Sequence, residues 1–178
     1  SGHPQLCDTN ALTGPRMFDG TTRLSKGNLR IFQMAKIGVF SEQAVVPEQA
    51  CHKISVAVPV DVAALIGCCV TTGVGAVINT SSARPGATVA VFGCGGVGLN
   101  VIQGARLIGA SRIIAVDVHD HKLEFAYKFG ATDVINSREK DPVEEIKRIT
   151  GDGVDLALDS FGAAVTTSAA VDSLRKTG

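Results

Sequence analysis

Hydrophobic and polar residues alternate in blocks along the second half of the chain, and the blocks have two periods. Short runs rich in Val, Ile and Ala predict buried strands, and each precedes a longer segment with apolar residues at helical spacing. The predicted strands are residues 88–92, 113–117, 133–135 and 154–158, and the predicted helices are residues 97–108, 120–129, 142–150 and 163–176. Crossover helices of this length require parallel strands covered on both faces. The pattern therefore predicts an α/β fold with a doubly wound parallel sheet.

Local signals mark the ends of two of these helices. Asp141 followed by Pro142 is typical of an N-cap and a first helical residue. Gly130 and Gly151 stand where a helix is expected to end. These residues support the boundaries that the periodicity predicts.

The first half of the chain has a different pattern. Residues 1–30 are rich in Gly, Pro, Asp, Thr and Ser and predict loops with short strands at most. The segments that follow are more regular. They predict two strands of a small sheet at residues 39–46 and 51–58, and two short helices at residues 61–67 and 70–80. We therefore expect a β-rich region at residues 1–69, followed by the α/β domain at residues 70–178.

Composition narrows the choice of partners and compartment. Seventeen basic and seventeen acidic side chains give no net charge, so nothing favours nucleic acid or an anionic membrane as a partner. The most apolar stretch, residues 54–70, is broken by Pro59 and Asp61 and is shorter than a membrane span. Five cysteines without regular spacing fit a reduced, intracellular protein, and we expect a cytoplasmic location.

Both ends of the chain are unusual for a complete domain. The chain begins with Ser1, and it stops at residues 176–178, where a helix is expected to lead into another strand. We interpret the sequence as an internal piece of a longer polypeptide. Its 178 residues are enough for one domain, or for a small domain and part of another.

The first candidate site is the G-x-G-x-x-G turn at residues 93–98, between a predicted strand and a predicted helix. Gly93 permits a sharp turn, Gly95 has no Cβ to block a pyrophosphate, and Gly98 lets the helix approach the sheet. The amides at the start of that helix then face the phosphates. The alternative is a glycine-rich turn in some other parallel sheet. The strand and helix around the motif favour dinucleotide binding.

An acidic residue ends the next predicted strand, about 20 residues beyond the turn. Asp117 could accept the hydroxyls of an adenosine ribose, and its charge would repel a 2′-phosphate. We therefore expect NAD rather than NADP as the cofactor. Cys94 occupies the variable position of the turn, and we expect it to pack against its neighbours and to have no chemical role.

A second motif changes the interpretation. Residues 65–75 read Leu-Ile-Gly-Cys-Cys-Val-Thr-Thr-Gly-Val-Gly, and the glycine turn follows about twenty-five residues later. Together these segments resemble the zinc-dependent medium-chain alcohol dehydrogenases. The resemblance implies a Rossmann NAD-binding domain, truncated at its C-terminal end and preceded by part of a GroES-like catalytic domain. It also implies hydride transfer between NAD and an alcohol, an aldehyde or a hydroxymethyl-thiol adduct.

The resemblance assigns roles to individual residues. Cys68 matches the third protein ligand of the catalytic zinc; the alternative is a small hydrophobic side chain in a turn. Four further matches concern the cofactor. They are Thr72 and Val97 near the nicotinamide, Lys122 beside Asp117 at the ribose, and Gly96 within the phosphate turn.

Other matches are less complete. Cys7 resembles the last of four cysteines in a structural zinc lobe, and Leu12, Met34 and Ala35 match positions that line the substrate pocket. The other catalytic zinc ligands of the family lie upstream of the segment that matches Ser1. We therefore expect the isolated piece to lack alcohol oxidation, and the full-length protein to form a dimer or tetramer.

Two alternatives stay open at this point. One is a zinc-free medium-chain reductase of the quinone or enone type, against which Asp117 and Cys68 both argue. The other is a non-catalytic protein that binds a dinucleotide.

Overall fold

The computed structural model describes residue 8, residues 14–176 and residue 178. The chain forms two compact units, residues 1–57 and 58–178. The second unit includes a long helix, α1 (Val60–Thr80). The boundary predicted after residue 69 lies within this helix. The assignment of residues 1–69 to a GroES-like catalytic domain stays a prediction.

The first unit contains one small hairpin. Strands β1 (Leu24–Lys26) and β2 (Leu29–Ile31) pair antiparallel, and single 3₁₀ turns follow at Met34–Lys36 and Glu48–Ala50.

The strands predicted at residues 39–46 and 51–58 were wrong, because the described chain there is irregular. Strand formation requires partners for the backbone N–H and C=O groups. Most side chains in these segments are exposed, so neither a paired strand nor a packed face favours the extended conformation.

The second unit contains the predicted parallel sheet. Its strands are β3 (Thr88–Phe92), β4 (Arg112–Asp117), β5 (Asp133–Asn136) and β6 (Leu156–Asp159), in the order β5-β4-β3-β6. All neighbouring pairs are parallel. The connecting helices are α2 (Gly96–Leu107), α3 (Asp120–Phe129), α4 (Pro142–Thr150) and α5 (Ala164–Asp172). The doubly wound α/β fold is confirmed, although α5 ends four residues earlier than predicted.

Alternate residues of β3 enter two hydrophobic cores. Val89 and Val91 pack with residues of α1, α2 and α3 on one face of the sheet. Ala90 and Phe92 pack with residues of α4 and α5 on the other. Burial on both faces explains why the strands read as continuous apolar runs.

The predicted helix signals are confirmed. The Asp141 carboxylate accepts the Glu144 N–H at 2.9 Å, which caps α4. Gly130 ends α3 with a φ of +116°, a conformation that costs glycine little.

The two helices predicted at residues 61–67 and 70–80 are a single helix, α1. It continues through two π-helical turns, Ile66–Val70 and Ala76–Thr80. Tertiary contact explains the continuity: a Cβ on Gly73 would lie 2.5 Å from the Val97 carbonyl oxygen, so α1 and α2 cross almost backbone to backbone.

The 21-residue helix α1 is long and apolar enough to cross a membrane; it overlaps the apolar stretch at residues 54–70 and extends ten residues beyond it. Core helices of soluble proteins meet the same criterion. Such core helices are mostly buried, whereas 11% of the apolar window of α1 is buried.

Candidate functional site

The glycine turn lies at the carboxyl end of β3, where the strand order reverses. The chain proceeds from β3 to β4 and β5 on one side, and β6 then pairs with the other side of β3. In open α/β sheets, ligands bind in the crevice outside the strand ends at such a switch point.

The three glycines of the turn have separate geometric roles. Gly93 has a φ of +89°, which favours glycine. A Cβ on Gly98 would lie 1.8 Å from the Gly93 carbonyl oxygen, so no other residue lets α2 begin so close to the turn. A Cβ on Gly95 would meet no atom within 4 Å, so this residue borders open space.

The start of α2 is open to an anion. The first amides of a helix have no intrahelical acceptor, and no side chain caps this one. Together with the helix dipole, free amides beside the open space at Gly95 suit a phosphate group. The glycine roles expected from the sequence fit this geometry.

Asp117 lies at the carboxyl end of β4, directly beside the turn. Its Oδ2 accepts the Cys94 N–H at 2.8 Å, and its Oδ1 accepts the N–H groups of Val118 and His119 at 2.8 and 3.0 Å. The Lys122 Nζ lies 3.7 Å from Oδ2, so the predicted pair is adjacent. A carboxylate has about four acceptor positions, so capacity for a further donor remains.

The thiol of Cys94 points into the core and away from the crevice. The residue is 2% exposed, and its sulfur lies 3.7 Å from the Val116 carbonyl oxygen. Burial, and secondarily the charge of Asp117, raise the pKa of Cys94 to about 12. The predicted packing role is confirmed, and the thiol leaves the space beside Gly95 free.

The end of β6 forms the other wall of the crevice, which the sequence analysis missed. The Asp159 carboxylate accepts the N–H groups of Phe161 and Gly162 and the hydroxyls of Thr166 and Thr167. Burial raises the pKa of Asp159, but these four hydrogen bonds outweigh it and lower the pKa overall. The loop after β6 is therefore held by an ionised side chain.

That fixed loop carries two residues next to the turn. The Ser160 hydroxyl donates to the Gly93 carbonyl oxygen at 2.6 Å. Phe161 is 72% exposed, and Val118, at the end of β4, is 38% exposed. Two apolar side chains thus stand at the ends of the strands on either side of β3. The exposed aromatic after a predicted strand was the signal available in the sequence.

Helix α1 contacts the start of α2. The Cys69 Sγ lies 3.7 Å from the Asn100 Nδ2, and a Cβ on Gly96 would lie 3.6 Å from the same sulfur. Thr72 is exposed and immediately precedes Gly73, whose backbone meets the Val97 carbonyl. The predicted residues Thr72 and Val97 therefore belong to adjoining segments near the turn.

The described residues do not form a metal site by themselves. Cys68 has an exposed thiol in the first π-helical turn of α1, as a ligand requires. A catalytic zinc needs three protein ligands. Within residues 14–176, no three Cys, His, Asp or Glu side chains converge. The role of Cys68 as one zinc ligand stays a prediction.

Three further predictions lie in the N-terminal region. Cys7 and Leu12 lie outside the described residues, so their roles as zinc ligand and pocket residue stay predictions. Met34 is exposed and shares a 3₁₀ turn with Ala35. The pocket role of these two residues also stays a prediction.

Comparison with known proteins reveals extensive similarity. Residues 96–178 match a family model described as zinc-binding dehydrogenase. The chain is 42% identical over 185 residues to S-(hydroxymethyl)glutathione dehydrogenase of Saccharomyces cerevisiae, covering 99% of this chain and 48% of that protein. It is 43% identical over 166 residues to the Synechocystis sp. protein of the same name, covering 91% and 45%. The chain spans about half the length of these curated relatives.

Solved structures agree with these relatives. An alcohol dehydrogenase zinc-binding domain protein from Burkholderia ambifaria superposes with a TM-score of 0.85 at 37% identity, covering 97% of this chain and 48% of that one. Benzyl alcohol dehydrogenase from Acinetobacter calcoaceticus gives a TM-score of 0.77 at 39% identity, covering 80% and 39%.

Proposed function

Because this chain belongs to the family of zinc-binding dehydrogenases, we propose that it supplies the NAD-binding part of an enzyme that transfers a hydride between NAD and an alcohol. One observation carries the proposal. The open, uncapped start of α2 lies beside Asp117, whose carboxylate is fixed by three backbone amides. The pair matches the diphosphate and the ribose of a dinucleotide.

Each end of the cofactor meets suitable groups in the crevice. The diphosphate would bind the amides at Gly95, which borders open space, and at Gly96, which the Cys69 side chain approaches from α1. Asp117 and Lys122 hold the adenosine ribose, and the exposed side chains of Phe161 and Val118 offer apolar surfaces for the adenine.

Thr72 and Val97, which belong to the adjoining segments of α1 and α2, would hold and orient the nicotinamide ring. When bound, NAD supplies the hydride acceptor, while the protein supplies binding and orientation.

We propose Cys68 as one zinc ligand, because its exposed thiol in a π-helical turn of α1 could supply a thiolate. Further ligands are needed from elsewhere in the protein, because the described residues contain no group of three potential ligands. A bound zinc would act as a Lewis acid on the alcohol oxygen. The isolated chain of 178 residues is therefore proposed to bind NAD without oxidising alcohols.

The two curated relatives favour one substrate class. Both are named for S-(hydroxymethyl)glutathione. We therefore include a hydroxymethyl-thiol adduct beside simple alcohols and aldehydes as a proposed substrate. We further propose a cytoplasmic homo-oligomer that binds neither nucleic acid nor membrane. The four described cysteines are free thiols, as expected in a reduced compartment.

The alternatives predict different cofactors and metals. A zinc-free quinone or enone reductase would use NADPH, and the fixed Asp117 carboxylate opposes a 2′-phosphate. A non-catalytic protein that binds a dinucleotide would lack zinc. Zinc analysis of the full-length protein distinguishes these classes, since the proposal requires about one or two zinc ions per subunit.

Cofactor binding tests the proposal directly. In isothermal titration calorimetry, the protein should bind NAD at least tenfold more tightly than NADP. Asp117→Asn should weaken NAD binding about tenfold, because hydrogen bonds to a charged group are lost, and should narrow that preference. Asp120→Asn is the control, since this exposed carboxylate at the start of α3 accepts from the Asn136 amide at 2.6 Å. Binding of neither dinucleotide, or a preference for NADP, would contradict the proposal.

A further inference from the structure

The peptide group between Gly93 and Cys94 is held at both of its polar atoms. The Gly93 carbonyl oxygen accepts the Ser160 hydroxyl at 2.6 Å, and the Cys94 N–H donates to the Asp117 Oδ2 at 2.8 Å. Since a peptide group is planar, its carbonyl and N–H turn together. Any rotation that breaks one of these hydrogen bonds therefore weakens the other.

The Ser160 hydroxyl is itself placed by the sheet. Its backbone N–H donates to the Phe92 carbonyl oxygen at 2.9 Å, which extends the parallel pairing of β3 with β6 by one residue. The preceding residue, Asp159, anchors the following loop through four hydrogen bonds. The hydroxyl also lies 3.1 Å from the Phe92 carbonyl oxygen, so the Gly93 carbonyl at 2.6 Å is the nearer of its two acceptors.

The glycine turn needs such a restraint. Gly93 has a φ of +89° and no side chain to limit rotation of the peptide that follows it. A Cβ on Gly98 would lie 2.7 Å from the Ser160 Oγ, so the helix start also packs against this hydroxyl. Ser160 therefore contacts the turn on the side opposite Asp117.

We propose that Ser160 is a positioning residue for the cofactor site, which acts through the Gly93–Cys94 peptide. It keeps the Asp117 carboxylate directed at the ribose and keeps the turn amides aligned for the diphosphate. The inference rests on the proposed NAD site, and it adds a residue that contacts no part of the ribose itself.

The first test compares two hydroxyls that each donate to a backbone carbonyl, the half-buried Ser160 and the buried Ser173. Ser160→Ala should weaken NAD binding about fivefold, as the loss of one hydrogen bond implies, and should narrow the preference for NAD over NADP by a similar factor. Ser173→Ala is the matched control. Its hydroxyl donates to the Ala169 carbonyl oxygen at 2.6 Å and is fully buried at the end of α5, outside the turn. A purely structural role would leave the cofactor preference unchanged in both variants.

Graded and double substitutions sharpen the test. Ser160→Cys keeps a weak donor of similar size and should give an intermediate loss, and it replaces Ser160→Ala if that variant fails to fold. In a protein that already carries Asp117→Asn, Ser160→Ala should weaken NAD binding much less than it does alone, because both side chains hold the same peptide group.

The two proposals fail in different ways. If the unsubstituted protein binds neither dinucleotide, the proposed function is wrong and the role of Ser160 falls with it. If the protein binds NAD, but Ser160→Ala behaves as Ser173→Ala or adds fully to Asp117→Asn, then only the positioning role is wrong.

Discussion

The two units of the chain are stabilised by different interactions. In the first unit, the buried residues among those described are Met17, Gln33 and Lys36. Lys36 donates to the carbonyl oxygens of Gly14 and Arg16, and Gln33 links the Arg23 N–H to the Ile37 carbonyl. Specific polar contacts hold this unit, while large apolar side chains such as Phe40 stay exposed.

The second unit instead buries aliphatic side chains on both faces of its sheet. Burial of apolar area is non-directional, so the sheet tolerates many sequences that keep the pattern. The polar contacts at the end of β3 can then be set by a rigid scaffold. A binding site built on this unit gains fixed geometry that the first unit does not offer.

The largest expected effect concerns the contact between the turn and α2. Gly98→Ala places a Cβ 1.8 Å from the Gly93 carbonyl oxygen, so the helix must move. We expect a loss of about 3 kcal/mol or more in the free energy of unfolding, measured by thermal or urea denaturation. Gly95→Ala is the control, because its Cβ meets open space: stability should stay nearly unchanged while NAD binding is lost. Equal stability of the two variants would contradict the close approach.

An intermediate effect compares the two units directly. Ile146 is fully buried in the second unit, and Phe40 is fully exposed in the first. Ile146→Ala should lower the free energy of unfolding by about 2–5 kcal/mol, because it leaves a cavity. Phe40→Ala should change it by roughly 0.5 kcal/mol or less. Urea denaturation followed by circular dichroism measures both. Similar losses would show that the first unit is also held by apolar packing.

The smallest effect concerns a carboxylate at the start of the sheet. Asp155 accepts the Thr88 N–H and hydroxyl at 2.7 and 2.9 Å and pairs with Arg175. These contacts, led by the Thr88 N–H, lower the pKa of Asp155. A lowered native pKa stabilises the fold above the ordinary carboxyl pKa, and this stability is lost as the pH falls through the native value.

Asp155→Asn should therefore lower the free energy of unfolding by about 1 kcal/mol near neutral pH, and by progressively less as the pH falls. Urea midpoints measured from pH 7 down to pH 3 test the trend, with the exposed Asp152 changed to Asn as control. A loss that does not depend on pH would show that the carboxylate charge is irrelevant.

The periodic parts of the structure could be predicted from the sequence. The strands and helices after residue 88 follow local patterns, and the glycine turn with Asp117 carries its own spacing signal. The predictions were wrong where tertiary contacts, rather than the local sequence, determine the secondary structure. Residues 39–46 are β-rich but have no paired strand, and α1 continues through Gly67 where two helices were expected.

Site residues divide in the same way. The positions of Gly93, Gly98 and Asp117 in the fold were predictable because backbone conformation and strand ends constrain the residue type, and their roles in cofactor binding stay predictions. Ser160 was not, because its hydroxyl acts on a carbonyl 67 positions away in the sequence. Spacing along one strand contains no information about a bond between the ends of two strands.

Burial of Cys94 also divides the described thiols by reactivity. The reactive species in alkylation is the thiolate, and burial both raises the pKa of the Cys94 thiol and shields its sulfur from a reagent. Cys51 and Cys68 face solvent. A maleimide dye would therefore attach to the surface thiols and spare the nucleotide turn, so that α1 could carry a fluorescent reporter beside an intact crevice.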